Sequence, residues 1–365
     1  MIIKERILKL ADTFIRLPLA GVDISDESLK YVSIHPDGVV SFPQWGEVSI
    51  PEGMIVDGEI RKEAECALFF RGFLEGEGKF LRSSFIVASL PEEKSFFRLI
   101  QIPKIRREEV QNVIRWEIEK NIPLAPEEIL YDYEVIEPLE NSLDHIDIAL
   151  TAFPRAVVES YVRVLSQAGM HLAALELESQ AIARAVVPTL RGPEAFAIVD
   201  LGKIRTGFVV WSGNGIHFTT TIKVGGKLFE DALRRALGVD AAESQRLKKD
   251  VGLNRVTEGG RVFETLVPAI STIADELRRA IEYYQSHVTH LHGARATIQK
   301  ILLAGGDANL YGLETYLSSV LKIPVSLADP LIFLRPRLRC QIPPFDKNVV
   351  LAFATAVGLA LRGMR

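Results

Sequence analysis

The sequence predicts a two-lobed α/β protein built on a repeated unit, with a small α+β unit inserted in the first lobe. The repeat is the first observation behind that reading. Ala197–Trp211, AIVDLGKIRTGFVVW, is echoed by Ala20–Ile34, AGVDISDESLKYVSI, with identities at Ala20/Ala197, Val22/Val199, Asp23/Asp200 and Val32/Val209 and similar residues at Ile24/Leu201 and Tyr31/Phe208. Both copies read as an apolar strand, an acidic residue, a short polar turn and a second strand. The second observation is Ile298–Leu313, IQKILLAGGDANLYGL, an apolar strand running into Gly305-Gly306 and then a helix. The third is length: 365 residues with 48% hydrophobic composition suffice for two domains with cores of their own.

A single V-D-[IL] step before a turn is common in ordinary hairpins. Its repetition about one domain apart gives it weight, because a duplicated fold supplies two equivalent turns. A turn following an aspartate presents backbone N–H groups to a phosphate, while the carboxylate holds a hydrated cation. Two such turns facing each other would grip a nucleotide's phosphates from both sides, and paired glycines let backbone pass close to a flat ligand.

The chain opens with Ile3, Ile7, Leu8, Leu10, Ala11, Phe14 and Ile15 at helical spacing, so Met1–Ile15 reads as an amphipathic segment suited to a membrane surface, a partner's groove or the protein's own domain. Gly21–Ser25, Ser28–His35 and Val39–Phe42, the last two joined by the turn Pro36-Asp37-Gly38, form a meander. Asp57–Gly72 reads as a helix and Ser84–Ser89 as a strand. From Pro91 the pattern changes: strand Phe96–Ile102, helix Arg106–Asn121, strands Leu130–Ile136 and Ile146–Ala152, and helix Pro154–Gly169. Val110, Val113, Ile114 and Ile118 share one helical face there, and Trp116 falls off it.

His171–Glu178 returns as a strand, followed by a short helix Ser179–Val187 capped by its serine. After the second hairpin come strand Ile216–Val224, Gly225-Gly226 with amides expected to face the cleft, and helix Lys227–Leu237. Ala241–Asp250 and Val262–His287 read as further helices, and Val349–Leu361 as a core helix too short to span a membrane.

Composition excludes several classes. A net charge of −4 provides no basic field for nucleic acid. Cys66 and Cys340 are far apart and form no CxxC, which points to a reducing cytoplasm and not to disulfides or zinc. Charges spread through the first residues argue against a signal peptide. The run His287, His290, His292 has poor metal-ligand spacing and sits at a helix C-terminus, where cationic side chains are favoured anyway. No G-x-x-x-x-G-K-[ST], G-x-S-x-G or H-E-x-x-H occurs, and Arg335, Arg337 and Arg339 read as an exposed face.

The two hairpins followed by strand, Gly-Gly and helix resemble the actin-like ATPase superfamily, with its ribonuclease H-like lobes, which includes sugar kinases, chaperone ATPases and the division protein FtsA. Longer stretches narrow the resemblance to the PilM family of type IV pilus assembly: Arg107–Pro138, Val224–Gly252, Leu302–Pro330 and AVGLALRG at Ala356–Gly363. It covers most of the chain from about Gly21. The resemblance implies subdomain 1A at 17–92 and 171–192, an inserted 1C (SHS2-like) subdomain at 93–170, domain 2 at 193–335 with 2B-like helices about 226–292, and a C-terminal segment 336–365 crossing back to 1A. Residues 1–16 lie outside it.

What the resemblance implies for chemistry is ATP with Mg²⁺. Asp23 would organise the metal through water, with Asp200 opposite. Ser25, Lys30, Gly202, Lys203 and Thr206 would lie near the phosphates, Gly305, Gly306 and Asn309 beside the adenosine, and Gly226 and Lys227 on the ribose side. Glu176 occupies the position of the acid that orients the attacking water. One departure stands out: the first turn has Ser25 where the family has glycine, followed by Asp26-Glu27, so steric and like-charge effects are expected to weaken ATP binding and leave turnover slow or absent. The implied role is a cytoplasmic scaffold, peripheral at the inner membrane, docking the tail of a PilN-like bitopic protein between 1A and 1C and contacting pilus motor or assembly proteins, with self-association open. Alternatives are an FtsA-like tethered filament protein, disfavoured by the absence of a terminal amphipathic helix after GLALRG, and a small-molecule kinase, disfavoured by the inserted unit.

Overall fold

The computed structural model describes residues 19–34, 44–83, 85–136, 145–188, 192–287, 297–334 and 347–362. The expected segment Met1–Ile15, the turn Pro36–Gly38, the strand Val39–Phe42, His290, His292, Arg335, Arg337, Arg339 and Cys340 lie outside the described residues.

The first lobe begins with strands β1 (Leu19–Ile24), β2 (Ser28–Ile34) and β3 (Gln44–Ser49), an antiparallel meander. A small hairpin follows, β4 (Ile55–Val56) and β5 (Glu59–Ile60), turning through Asp57 (φ 51°) and Gly58 (φ 73°). Asp-Gly suits that left-handed pair, and the Asp26 carboxylate accepts the Asp57 and Gly58 amides at 3.1 and 2.9 Å. The hairpin takes the place of the expected helix start, and helix α1 runs instead over Glu63–Glu75. Strand β6 (Phe85–Leu90) returns beside β1 in parallel.

The insertion is a three-stranded antiparallel sheet of β7 (Phe96–Pro103), β8 (Ile129–Ile136) and β9 (His145–Pro154), in the order β7-β9-β8, covered by α2 (Arg107–Asn121). Val110, Ile114 and Ile118 on α2, with Ile122 just past its end, repeat every four residues, so one face closes over Ile100, Ile102, Ile148 and Leu150. Helix α3 (Arg155–Ala168) leads back through β10 (His171–Leu177) to α4 (Glu178–Val186). Helix α4 starts at Glu178, and Ser179 makes no cap; the Glu92 carboxylate accepts the Ser179 amide at 3.2 Å and satisfies that helix end.

The second lobe holds β11 (Gly192–Leu201), β12 (Thr206–Gly213), β13 (Gly215–Ile222), helices α5 (Lys227–Leu237) and α6 (Ala241–Arg246) with a π-turn to Val251, the long α7 (Arg261–His287), β14 (Lys300–Ala304), α8 (Leu313–Leu321) and β15 (Val325–Leu327). The expected single helix Val349–Leu361 is two, α9 (Lys347–Leu351) and α10 (Ala354–Leu361).

The two main sheets have one topology: β3-β2-β1-β6-β10 and β13-β12-β11-β14-β15, each an antiparallel meander extended by two parallel strands. Asp23 faces Lys30 across the first hairpin and Asp200 faces Gly207 across the second, at the same offset. Between the sheets lie α4 and α10, whose apolar residues join Val32 and Ile34 of one lobe to Ile198, Val209 and Leu302 of the other in a shared core. Glycine makes that layer possible: a Cβ at Gly358 would stand 1.8 Å from the Ala181 carbonyl, and one at Gly21 2.0 Å from that of Ala356. No helix among the described residues is long and apolar enough to cross a membrane.

Candidate functional site

The two repeated turns face each other across one cleft of about 880 Å³. Its lining includes Asp23, Ser25 and Lys30 from the first lobe and Asp200, Gly202, Lys203, Lys227, Gly305 and Gly306 from the second. The strand ends explain the convergence: β1 and β11 each stop just after their aspartate, and the parallel strand beside each supplies the neighbouring residue. Ser89, at the end of β6, receives the Ile24 amide at 2.8 Å and hydrogen-bonds Asp23. Gly305, after β14, has φ 91° and lies so close to Asp200 that a Cβ would stand 2.6 Å from its Oδ1.

Four carboxylates share the cleft floor: Asp23, Glu92, Glu178 and Asp200. Burial raises all four, and their mutual repulsion adds to it for Asp200, pushed up to about 6, and for Glu178, held well above the usual carboxylate range by Asp23, Glu92 and Asp200. Lys30 opposes the shift at both aspartates. Carboxylates that resist ionisation when gathered are relieved by a cation. Among the described residues no three acidic, histidine or cysteine side chains are arranged as direct ligands. Such a floor fits a hydrated divalent ion that keeps its water shell, as Mg²⁺ does.

Four of the sequence-predicted residues are not among the residues lining this cleft. Glu176 points to a second cavity, ion-paired with Arg184 and, at 3.2 Å, with Arg362. The strand ends at Leu177, so the turn into α4 swings Glu178, two residues on, into the cleft in its place. Thr206 is buried and donates to the Val224 carbonyl at 2.7 Å. Asn309 donates to the Gly306 carbonyl, closing its own turn. Gly226 is packed against Asp307, where a Cβ would meet the carboxyl carbon at 1.9 Å.

The expectation that the Gly225-Gly226 amides face the cleft is also corrected. The Gly226 and Lys227 amides donate to the carbonyls of Gly202 and Lys203 at 2.9 and 2.8 Å. A Cβ at Gly225 would come within 2.6 Å of both those carbonyls, so glycine here brings two backbones together. Likewise Ser25 does not project as a simple obstruction. Its hydroxyl donates to the Ser28 carbonyl at 3.1 Å and receives the Ser28 amide at 3.1 Å, folding the side chain into its own turn.

Sequence reading passed over Glu92, Glu178, Arg205, Lys248 and Asp307 as site residues. Lys248 is 1% exposed and is held by Asp307 and, at 3.2 Å, by Glu230. Only the P-E-E run at 91–93 and the strand-to-helix step at 177–178 gave a local signal for two of them.

The second cavity, about 530 Å³, runs between the insertion, β10 with α4, and the β12–β13 hairpin. Leu130, Tyr131, Asp132, Tyr133 and Glu134 all line it. Consecutive residues on one wall mean that it follows the free edge of β8, an outer strand of its sheet.

A family model described as type IV pilus assembly protein PilM matches residues 21–364. Among solved structures, the PilM-PilN type IV pilus biogenesis complex superposes with a TM-score of 0.77 at 22% identity, over 96% of this chain and 100% of that one. MreB5 of Spiroplasma citri bound to ADP superposes with a TM-score of 0.53 at 14% identity, over 87% of this chain and 94% of that one. These likenesses show an actin-like fold. The cell shape-determining protein MreB of Haemophilus influenzae is 26% identical over 166 residues, 37% of this chain, so the match spans just under half the curated relative's length, 46%.

Proposed function

The chain belongs to the family of the type IV pilus assembly protein PilM, and on that premise we propose that it is a nucleotide-clamped scaffold which docks the tail of a PilN-like membrane protein. The observation that carries the nucleotide part is the pair of homologous acidic turns across a single cleft, of a volume suited to a small-molecule ligand. Asp23 and Asp200 would hold Mg²⁺ through water, with Lys30, Lys203 and Lys227 supplying positive charge to the phosphates and the Gly305-Gly306 turn bordering the nucleoside. The metal, when bound, would offset the charge of the gathered carboxylates and of the phosphates. Proteins sharing the fold support this, since MreB5 of Spiroplasma citri is bound to ADP in one structure and to AMPPNP in another.

The protein's own residues bear on turnover. Glu178 is raised well above the usual carboxylate range by burial and by Asp23, Glu92 and Asp200, which disfavours the ionised form that a general base needs, and slow hydrolysis is the expected outcome. Magnesium-dependent phosphate release measured by malachite green is expected to stay near background, and rapid release overturns that part.

The docking part rests on the groove along β8. Its free strand edge offers unpaired backbone groups to an extended peptide, and Leu130, Ile136, Leu175 and Leu177 offer apolar walls. The PilM-PilN complex supports a PilN-type partner, and the groove is the surface proposed for its tail. In this reading 93–170 is the docking subdomain, 17–92 with 171–192 and 193–335 are the clamp, and the protein sits in the cytoplasm, peripheral at the inner membrane through its partner. A labelled PilN cytoplasmic-tail peptide is expected to bind the full chain in fluorescence anisotropy, and Ile136→Asp is expected to weaken it at least about tenfold by placing a charge on an apolar wall. Equal binding by the variant sinks the groove assignment.

A further inference from the structure

The repeated turns differ in charge, and the difference joins them. The first carries Asp26 and Glu27; the second carries Lys203 and Arg205. Glu27 pairs with Lys203 at 3.1 Å, and Arg205 pairs with both Asp26 and Glu93. Each of these pairs crosses from one lobe to the other. Arg205 is three-quarters buried, and its acceptors are placed before it arrives: the Asp57 and Gly58 amides fix Asp26, and Glu93 stands beside Gly58. Glu93 opens the inserted unit, so one guanidinium ties the second lobe to the first lobe's turn and to the root of the insertion. Arginine suits that task because its planar fork serves two carboxylates at once.

We propose that these pairs form an ionic latch that holds the cleft shut without ligand, and that the Glu27 carboxylate acts as an internal stand-in for phosphate on Lys203. The proposal rests on the nucleotide reading above for its second half only. A polyphosphate gains Lys203 by displacing Glu27, an exchange of one anion for another on the same ammonium. The Lys203–Glu27 pair is half-exposed at the rim and opens readily in salt, whereas the sheltered Arg205 cluster persists and sets the closed position. The charges that mark the first turn as a poor phosphate loop thus serve as a self-complementary closure.

Dyes on cysteines at exposed Glu77 in the first lobe and Lys249 in the second report lobe separation by energy transfer in the full chain, with Cys340→Ser and the buried Cys66 retained. Without nucleotide, Arg205→Gln is expected to widen the separation relative to the parent; an unchanged separation overturns the latch. Should that variant fail to fold, Asp26→Asn decides the same point. Glu27→Gln is expected to bind a fluorescent mant-ATP with Mg²⁺ about twofold to fivefold more tightly than the parent, the ratio expected when a rim ion pair no longer competes. Equal or weaker binding overturns the stand-in role. Absence of mant-ATP binding in parent and variant alike overturns the nucleotide reading, while the dye separation still judges the latch.

Discussion

The two lobes are copies in backbone and strangers in chemistry. Both sheets have the same strand order, and both hairpins set an aspartate at the same register. Yet the first turn is S-D-E-S and closes on the Ser25 hydroxyl, while the second is G-K-I-R and is buttressed by the carbonyl-to-amide contacts with Gly226 and Lys227. The interiors diverge too. Tyr161, neutral, is a large buried polar side chain of the first lobe, with its hydroxyl donating to the Gly58 carbonyl at 3.0 Å. The second lobe buries a lysine, Lys248, against Asp307 and Glu230. Apolar periodicity sets the frame, so the frame survived duplication; turn and cleft residues are free of that constraint and took on separate work.

The largest effect expected from this contrast is in the second lobe. Lys248→Met leaves Asp307 and Glu230 without their shared cation, and Asp307 is already raised by burial before anything is removed. Breaking a buried pair from one side costs about 3–5 kcal/mol, read as a fall in unfolding free energy in urea. A cost below about 1 kcal/mol breaks the comparison, because the second lobe's interior would then tolerate loss of charge as readily as the first.

The two aspartates sharpen it next. Burial and Asp23 lift Asp200 to about 6, above its ordinary 3.8. A carboxyl whose pKa is higher folded than unfolded binds its proton more tightly in the folded state, so stability falls as pH rises from about 4 to about 6 and the loss is complete above that window. Asp200→Asn removes the penalty and is expected to gain about 3 kcal/mol over the parent at pH 7 and little at pH 4. Thermal unfolding across that range checks the sign; a gain larger at pH 4 than at pH 7 contradicts it. Tyr161→Phe in the first lobe is smaller, about 1 kcal/mol, since it removes one neutral hydrogen bond.

Much of this was legible in the sequence, and the gaps have causes. The strand-turn-strand repeat revealed the twin sheets because alternating apolar residues and an acidic strand end are local signals. The groups that close the site are not local. Glu92 reaches α4 from just before the insertion, Arg205 reaches Asp26 and Glu93 across the cleft, and Lys248 meets Asp307 from the distant π-turn after α6. No spacing along the chain announces such meetings. Glu176, expected at the cleft, lines the second cavity beside Arg184, and Glu178 lines the cleft, because the strand ends at Leu177 and the chain turns there into a helix. Gly225 is tight against the carbonyls of Gly202 and Lys203 and Gly226 against the Asp307 carboxylate, partners that lie far from them in sequence.

The smallest effect belongs to the unit that has no twin. Trp116 stands on the outer face of α2, 61% exposed, with the Lys120 ammonium 5.4 Å from its ring centre. The face that holds the insertion together is the opposite one, where Ile114 and Ile118 are buried. A cation over an exposed indole contributes about 0.5–1 kcal/mol at most, against water that solvates the ammonium nearly as well. Trp116→Ala is therefore expected to change unfolding free energy by less than about 0.5 kcal/mol, within the range of ordinary surface substitutions. Ile114→Ala, two residues away on the buried face, is expected to cost about 2–4 kcal/mol by leaving a cavity. If urea unfolding gave the two variants similar costs, α2 would have to be held from both faces, and the insertion would be a wedge between other elements instead of a unit resting on its own core.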